Sequence, residues 1–527
     1  MRALLGTLIL LLGLLGSVSH AKVTDPIGEA FQAMGAWNMA EARRAVDQVV
    51  RDNPDTPVAL LVQGQMRFFE GRYDEATALL TRASAGISGD NGIAAHLAEM
   101  SRAVGEVTRG YASHTTSGGH FTIHWKPGID DVMIPWMDSV LEAAWTALTV
   151  EFGQTPEFPV RVELYPEADT LAAVTPLTSD EIRQSGTIAL CKYNRLMITS
   201  PRDLVYGYGW ADTLAHEFIH MLITQRSRNQ VPIWLHEGLA KFYEVIWRKD
   251  TQPSLEVAAR TLLAQALAQD SLISFEAMSP SMAKLPNQEA TATAFAEVHT
   301  VIDFLLSRHG EELPRSLTTM MAEGKSDKET VSSLSKLPWP RFEGAWKAHL
   351  KRLGFKHRQA PFDTRLLFKG HDTEADELEQ IKGKEGRKFV WLGDRLMVEG
   401  RPLAASKEYS KAAKAVGEAV PLIQAKLGRA LLSLGKIDKA RGELEKTLQL
   451  YPEYMLTRLL LGEANLRLGE YEAARAHLEE AVLINPFDPQ LHDHLRTVYE
   501  ALGETDLAAR AAAAHTKVMA QLPTTGP

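Results

Sequence analysis

Cysteine is almost absent from this 527-residue chain, which has only Cys191. No internal disulfide can form, so stability has to come from packing whatever the redox compartment. Cys191 follows a strand-like run at 187–190 and reads as a small buried hydrophobe with no chemistry of its own. Long apolar runs are also missing, with one exception at the start. Residues 3–15 are almost wholly apolar behind Arg2, and residues 17–21 are small and weakly polar, the pattern of an export signal over 1–21. About 13 apolar residues fall short of the roughly 20 that cross a bilayer, and no later stretch comes closer, so no stable membrane insertion is expected. An excess of positive charge is lacking too. Without residues 1–21 the chain keeps 56 basic and 66 acidic side chains, a net charge of −10, which speaks against nucleic acid or an anionic membrane as the main partner. There is no glycine-rich phosphate loop and no GxSxG elbow for a serine nucleophile.

The composition is that of a folded protein, 45% hydrophobic and 23% charged. The length predicts several units, since one core seldom exceeds about 100–200 residues. The last quarter repeats itself: Gly428, Gly435, Ala440 and Pro452 recur 34 residues later as Gly462, Gly469, Ala474 and Pro486, and Gly503 and Ala508 continue the register. Gly393, Gly400 and Ala405 stand one unit upstream. These are tetratricopeptide (TPR) spacings, each unit being two amphipathic helices, and they predict an all-α array over 388–520. Gly64, Gly71 and Ala76 repeat the frame near the start, with Gly35 and Ala40 as a poorer unit before them, so a shorter helical array is expected over 27–108. Stacked repeats form a concave surface that commonly holds a peptide or protein partner.

The middle of the chain, 115–354, reads as mixed α and β. Residues 121–125 and 160–165 alternate like strands, 134–152 has helical periodicity, and 186–190 and 196–199 read as two more strands around Tyr193 and Asn194. Helices resume after 310, and 355–387 is charged and weakly periodic, as a linker would be. Within the mixed block, HEFIH at 216–220 falls on a helical pattern, so His216 and His220 share one face and can reach one ion. Zinc suits two imidazoles and a carboxylate, leaving a position open for water, beside which Glu217 would act as a base. The third ligand is expected in PIWLHEGLAKFY at 232–243, where Glu237 opens a second helix.

The HExxH and the WLHEGLA stretch together resemble the gluzincin metallopeptidases, particularly the bacterial peptidase MA-like group. The resemblance covers about 121–354 and implies an α+β metallopeptidase domain set between all-α TPR superhelical arrays. Position by position it implies one Zn2+ held by His216, His220 and Glu237, with Glu217 as general base and proton shuttle. It also implies a late tyrosine or histidine to hold the oxyanion. Phe295 stands where the family often has a tyrosine, and His299, on the same helix face, is the candidate for that role. Glu244 is either a hydrogen-bond acceptor behind a histidine ligand or a solvated surface glutamate. The segment resembling the family's substrate-binding edge strand is 186–190. Two functions are thus expected: zinc-dependent hydrolysis of peptide bonds in exported or envelope proteins, periplasmic or secreted, with the repeats recruiting a peptide or protein substrate; or a non-catalytic TPR scaffold with a peptidase-like binding domain.

Overall fold

The computed structural model describes residues 25–86, 92–157, 159–249, 251–279, 281–356, 366–369, 381, 383–416 and 420–521. The export signal expected at 1–21, and most of the linker expected at 355–387, lie outside the described residues.

The molecule is mostly helical with one small mixed sheet. Two helix pairs come first, α1 (Pro26–Gly35) with α2 (Met39–Asp52) and α3 (Pro57–Phe69) with α4 (Tyr73–Gly86), followed by α5 (Gly92–Thr108). The repeat pattern has a direct steric cause. A Cβ on Gly64 would stand 2.6 Å from Leu80, and in the C-terminal array a Cβ on Gly428 would stand 2.7 Å from Leu444 and one on Gly462 2.5 Å from Leu478. Each glycine therefore lets the two helices of its unit touch. Seven residues on, Gly71, Gly435 and Gly469 take φ of +75°, +70° and +75°, the left-handed conformation that ends the first helix. The poorer unit lacks this device: the chain turns at Trp37, with φ +53°, and Asn38 then caps α2.

The sheet follows. Strands β1 (Ala112–Thr115), β2 (Phe121–Trp125), β3 (Val160–Tyr165), β4 (Ala189–Lys192) and β5 (Arg195–Thr199) lie in the order β1-β2-β3-β5-β4, parallel from β2 through β3 to β5 and antiparallel at both edges. Helix α6 (Ile134–Phe152) connects β2 to β3, and two short helices, α7 (Ala168–Ala173) and α8 (Ser179–Ser185), connect β3 to β4. The strand expected at 186–190 begins instead at Ala189, because Gly186, at φ +74°, caps α8. Tyr193 and Asn194 are both at positive φ, so β4 and β5 form a tight hairpin.

Side-chain alternation gives the sheet two different faces. Val160, Val162, Leu164, Leu196 and Ile198 join the core beneath α6 and α9 (Trp210–Ser227), where Phe121, Trp145 and Phe218 pack edge to face and stacked. Tyr165, Tyr193 and Met197 point the other way, into the core of the N-terminal helices. On that face the fully buried Glu163 accepts from Tyr73 and Tyr165 and pairs with Arg161 at 2.6 Å and Arg195 at 3.1 Å. Burial alone would raise its pKa, but the two guanidiniums hold it down to about 2.

Helices α10 (Ile233–Tyr243), α11 (Val257–Gln269), α12 (Gln288–His309), α13 (Leu313–Ala322), α14 (Asp327–Ser335) and α15 (Trp339–Leu353) complete the middle block. Four more pairs are described after it: α16 (Lys384–Val398) with α17 (Pro402–Val416), α18 (Pro421–Ser433) with α19 (Ile437–Leu450), α20 (Met455–Arg467) with α21 (Tyr471–Val482), and α22 (Pro489–Leu502) with α23 (Thr505–Met519). The C-terminal array returns to the start of α9. Tyr208 donates its backbone N–H to Ile484 and Trp210 its indole N–H to Val482, and Arg248 pairs with Glu480 at 2.6 Å. The described part of the linker is pinned as well, with Val205 donating to Leu367 and Lys369 to Asp203.

Candidate metal centre

The HExxH helix α9 is buried along most of its length, with Leu214, Phe218, Leu222 and Ile223 fully covered. Four-residue spacing sets His216 and His220 on one face, their ring centroids 4.7 Å apart and nearly perpendicular. Helix α10 brings the third group. A Cβ on Gly238 would lie 3.1 Å from the Val298 carbonyl and from Ile302, so glycine there lets α10 press against α12. Trp234 anchors the helix start, stacked on Phe275 at 4.4 Å. Glu237 Oε2 then sits 3.1 Å from His216 Nε2 and 3.4 Å from His220 Nε2. Ligand atoms about 2.0–2.1 Å from a tetrahedral zinc are separated by roughly 3.3–3.4 Å, close to the two separations that Glu237 makes with the histidines. The donor chemistry fits too, with two imidazole nitrogens and a carboxylate oxygen converging.

The surrounding charge favours a cation. Glu237 is held well below the usual carboxylate range, burial being outweighed by His220 and His216. His216 is pushed up to about 10, since Glu237 and Glu244 outweigh the opposite effect of its burial. Glu217 is different: buried, it is shifted upward by desolvation, and its Oε2 has no hydrogen-bond partner. The backbone N–H of Cys191 on β4 favours its charged form. A buried carboxylate oxygen with nothing to accept from is suited to taking a proton from a water at the same centre.

Behind the ligands stand groups of two kinds. Glu244 is buried at the end of α10, with Oε2 2.9 Å from His216 Nδ1 and its other oxygen paired with Lys241, so it is no solvated glutamate. His236 was not singled out from the sequence. Its Nδ1 lies 2.7 Å from His220 Nδ1 and its Nε2 3.4 Å from Thr224 Oγ1. Burial, then His220, lower its pKa to about 3, which keeps it neutral, and with an ion on His220 Nε2 the proton on His220 Nδ1 would be donated to His236 Nδ1. The only hint in the sequence was its place beside Glu237 in WLHEG.

His299 lies apart from this cluster. It is on α12 and lines the same cleft, but its ring packs on Phe242 at 5.0 Å, and among the described residues no hydrogen bond or ion pair joins it to His216, Glu217, His220 or Glu237. Its Nδ1 is buried without a partner, and desolvation together with Lys241 lowers its pKa to about 4, keeping it neutral. Phe295 is the α12 residue whose ring faces His216, 6.1 Å away, and it carries no hydroxyl.

The centre opens into a cleft of about 1820 Å³ that also takes in β4, the segment 253–259, the N-terminal helices α1, α3 and α5, and residues 450–454 of the C-terminal array.

Comparison with known proteins agrees with this architecture. Residues 142–352 match the model of the Peptidase MA superfamily, and residues 33–91 and 425–490 match the tetratricopeptide repeat model. Solved structures with similarity include MamA 41-end from Desulfovibrio magneticus RS-1, 21% identical, covering 26% of this chain and 76% of that one at a TM-score of 0.24. A thermophilic TPR protein in Thermus thermophilus is 27% identical over 26% of this chain and 75% of its own, also at 0.24. The APC/C hetero-tetramer Cut9-Hcn1 is 14% identical over 98% and 97%, at 0.26. The search of curated proteins gave no match. The chain carries a Peptidase MA superfamily domain with tetratricopeptide repeats on both sides of it.

Proposed function

We propose that the protein is a zinc-dependent peptidase of exported or envelope proteins. The observation that carries this reading is the convergence of His216 Nε2, His220 Nε2 and Glu237 Oε2 beside the unpartnered oxygen of Glu217. Zinc, when bound, acidifies a water and polarises the scissile carbonyl. Glu217 takes the proton from the attacking water and passes it to the leaving amide nitrogen. Glu244 and His236 hold the two imidazoles with Nε2 directed at the ion. We assign the oxyanion to His299, the imidazole on α12 that lines the same cleft. The repeats recruit the protein substrate. Export rests on the apolar segment at 3–15, and among the described residues no helix is long and apolar enough to cross a membrane.

A second reading follows from Phe295. An apolar ring facing His216 suits a domain that binds metal and peptide without turnover, serving a TPR scaffold. Metal analysis and cleavage of unfolded casein by the wild type and Glu217→Gln decide between them. The peptidase reading expects zinc in both proteins and a loss of rate of about 10²–10⁴-fold in the variant. Zinc in both with cleavage by neither favours the scaffold.

A further inference from the structure

The cleft does not stop at the metal centre. It runs along β4 and onto the N-terminal helices, where Phe31, Gln32, Trp37, Phe69, His96 and Leu97 line it. Phe31, Trp37 and Leu97 are only partly buried against the repeat core, so their apolar surface is turned in part to the cleft. Of these six side chains none is carboxylate, lysine or arginine, in a protein that is 23% charged. The other end differs, for Glu256 and Glu453 stand there.

The hairpin makes the two regions continuous. β4 is the edge strand of the sheet, and its last residues lead to Tyr193, whose ring lies 5.0 Å from Phe68 and 6.1 Å from Phe69. A chain laid along β4 past Cys191, whose N–H faces Glu217, is therefore delivered at the hairpin tip onto the surface of α1, α3 and α5. Edge pairing reads backbone, whereas an aromatic and aliphatic surface with one amide and an imidazole reads uncharged side chains. We infer that the α1–α3–α5 face is an extended-substrate site: it binds an apolar, uncharged stretch of the same unfolded polypeptide whose scissile bond lies at the metal centre. This deepens the peptidase reading and rests on it.

The test uses zinc-loaded full-length protein, reduced and carboxymethylated casein as the long substrate, and a peptide of about eight residues spanning one of its mapped cleavage sites as the short one. Phe31→Glu combined with Leu97→Glu should raise KM for casein about tenfold, with kcat unchanged and hydrolysis of the short peptide unaltered. Equal effects on both substrates, or none on casein, overturn the proposal. So does a change of oligomeric state with casein KM unchanged, which would make the face a contact between copies. Should the charged pair lower the melting temperature, Phe31→Ala with Leu97→Ala gives the same comparison, with a smaller rise in KM expected. If the wild type cleaves neither substrate, the hydrolase reading fails on its own. Fluorescence anisotropy of labelled casein on Glu217→Gln then reads the face directly: about tenfold weaker binding with the added pair upholds it, and equal or absent binding overturns it.

Discussion

At the scale of single residues, the proposed metal centre depends on groups that would never meet the ion. His220 can present Nε2 only while something accepts its Nδ1–H, and that acceptor is another histidine, where metal sites more often use a carboxylate or carbonyl. His236→Ala should therefore lower zinc affinity roughly 10–100-fold while leaving the fold intact, and Glu244→Ala should act similarly through His216. Competition against a chelator of known affinity measures both, and unchanged affinity in His236→Ala would show that Thr224 or water orients His220 well enough. Glu237→Ala removes a ligand outright and should cost more than either. The pairing of the two histidines in HExxH was readable because a four-residue spacing has one geometric meaning on a helix, whereas Glu237 was expected from the resemblance of WLHEGLA to the gluzincin pattern. Glu244 was ambiguous and His236 unread, since nothing local says which buried neighbour a side chain will face.

At the scale of elements, the repeats are held by glycines whose missing Cβ makes room for a neighbour. The same sixteen-residue step links Gly64 to Leu80, Gly428 to Leu444 and Gly462 to Leu478. Gly462→Val should destabilise by about 1–3 kcal/mol through overpacking on Leu478. Adding Leu478→Ala should recover part of that loss, and a double-mutant cycle on chemical denaturation gives the coupling. Additive losses would mean that the two helices adjust independently. This contact was visible as a periodicity, because it recurs. The short helix α8 was not: Gly186 belongs to its cap, and only that cap moves the start of β4 to Ala189.

At the scale of the whole molecule, the two arrays grip the middle block by different means. The C-terminal one does so by accepting from the Tyr208 backbone and the Trp210 indole at the start of α9, the N-terminal one through Tyr73 on Glu163. Glu163 makes that second join sensitive to acid. Its folded pKa, near 2, lies below the ordinary glutamate value of 4.5, so the carboxylate contributes stability above the ordinary value and loses it as pH falls from there through the folded one. Thermal melts from pH 6 to about 2 should show this loss, on the order of a few kcal/mol, as a steep fall below about pH 4.5. In Glu163→Gln that step should be absent, and stability at neutral pH should be lower because Arg161 and Arg195 lose their partner. An identical pH profile in the variant would remove Glu163 from the account.

What the sequence by itself determined is whatever rests on spacing along one chain: helix pairs every 34 residues, two histidines on one helical face, and strands that alternate. These are consequences of fixed rise and rotation per residue, so they need no knowledge of neighbours. Only the tertiary structure decided that His236 backs His220, that Phe295 and not His299 faces His216, and that the N-terminal repeats open onto the metal cleft. Each of those depends on how separate elements pack, and packing is set by the shape of buried surfaces that lie far apart in the chain.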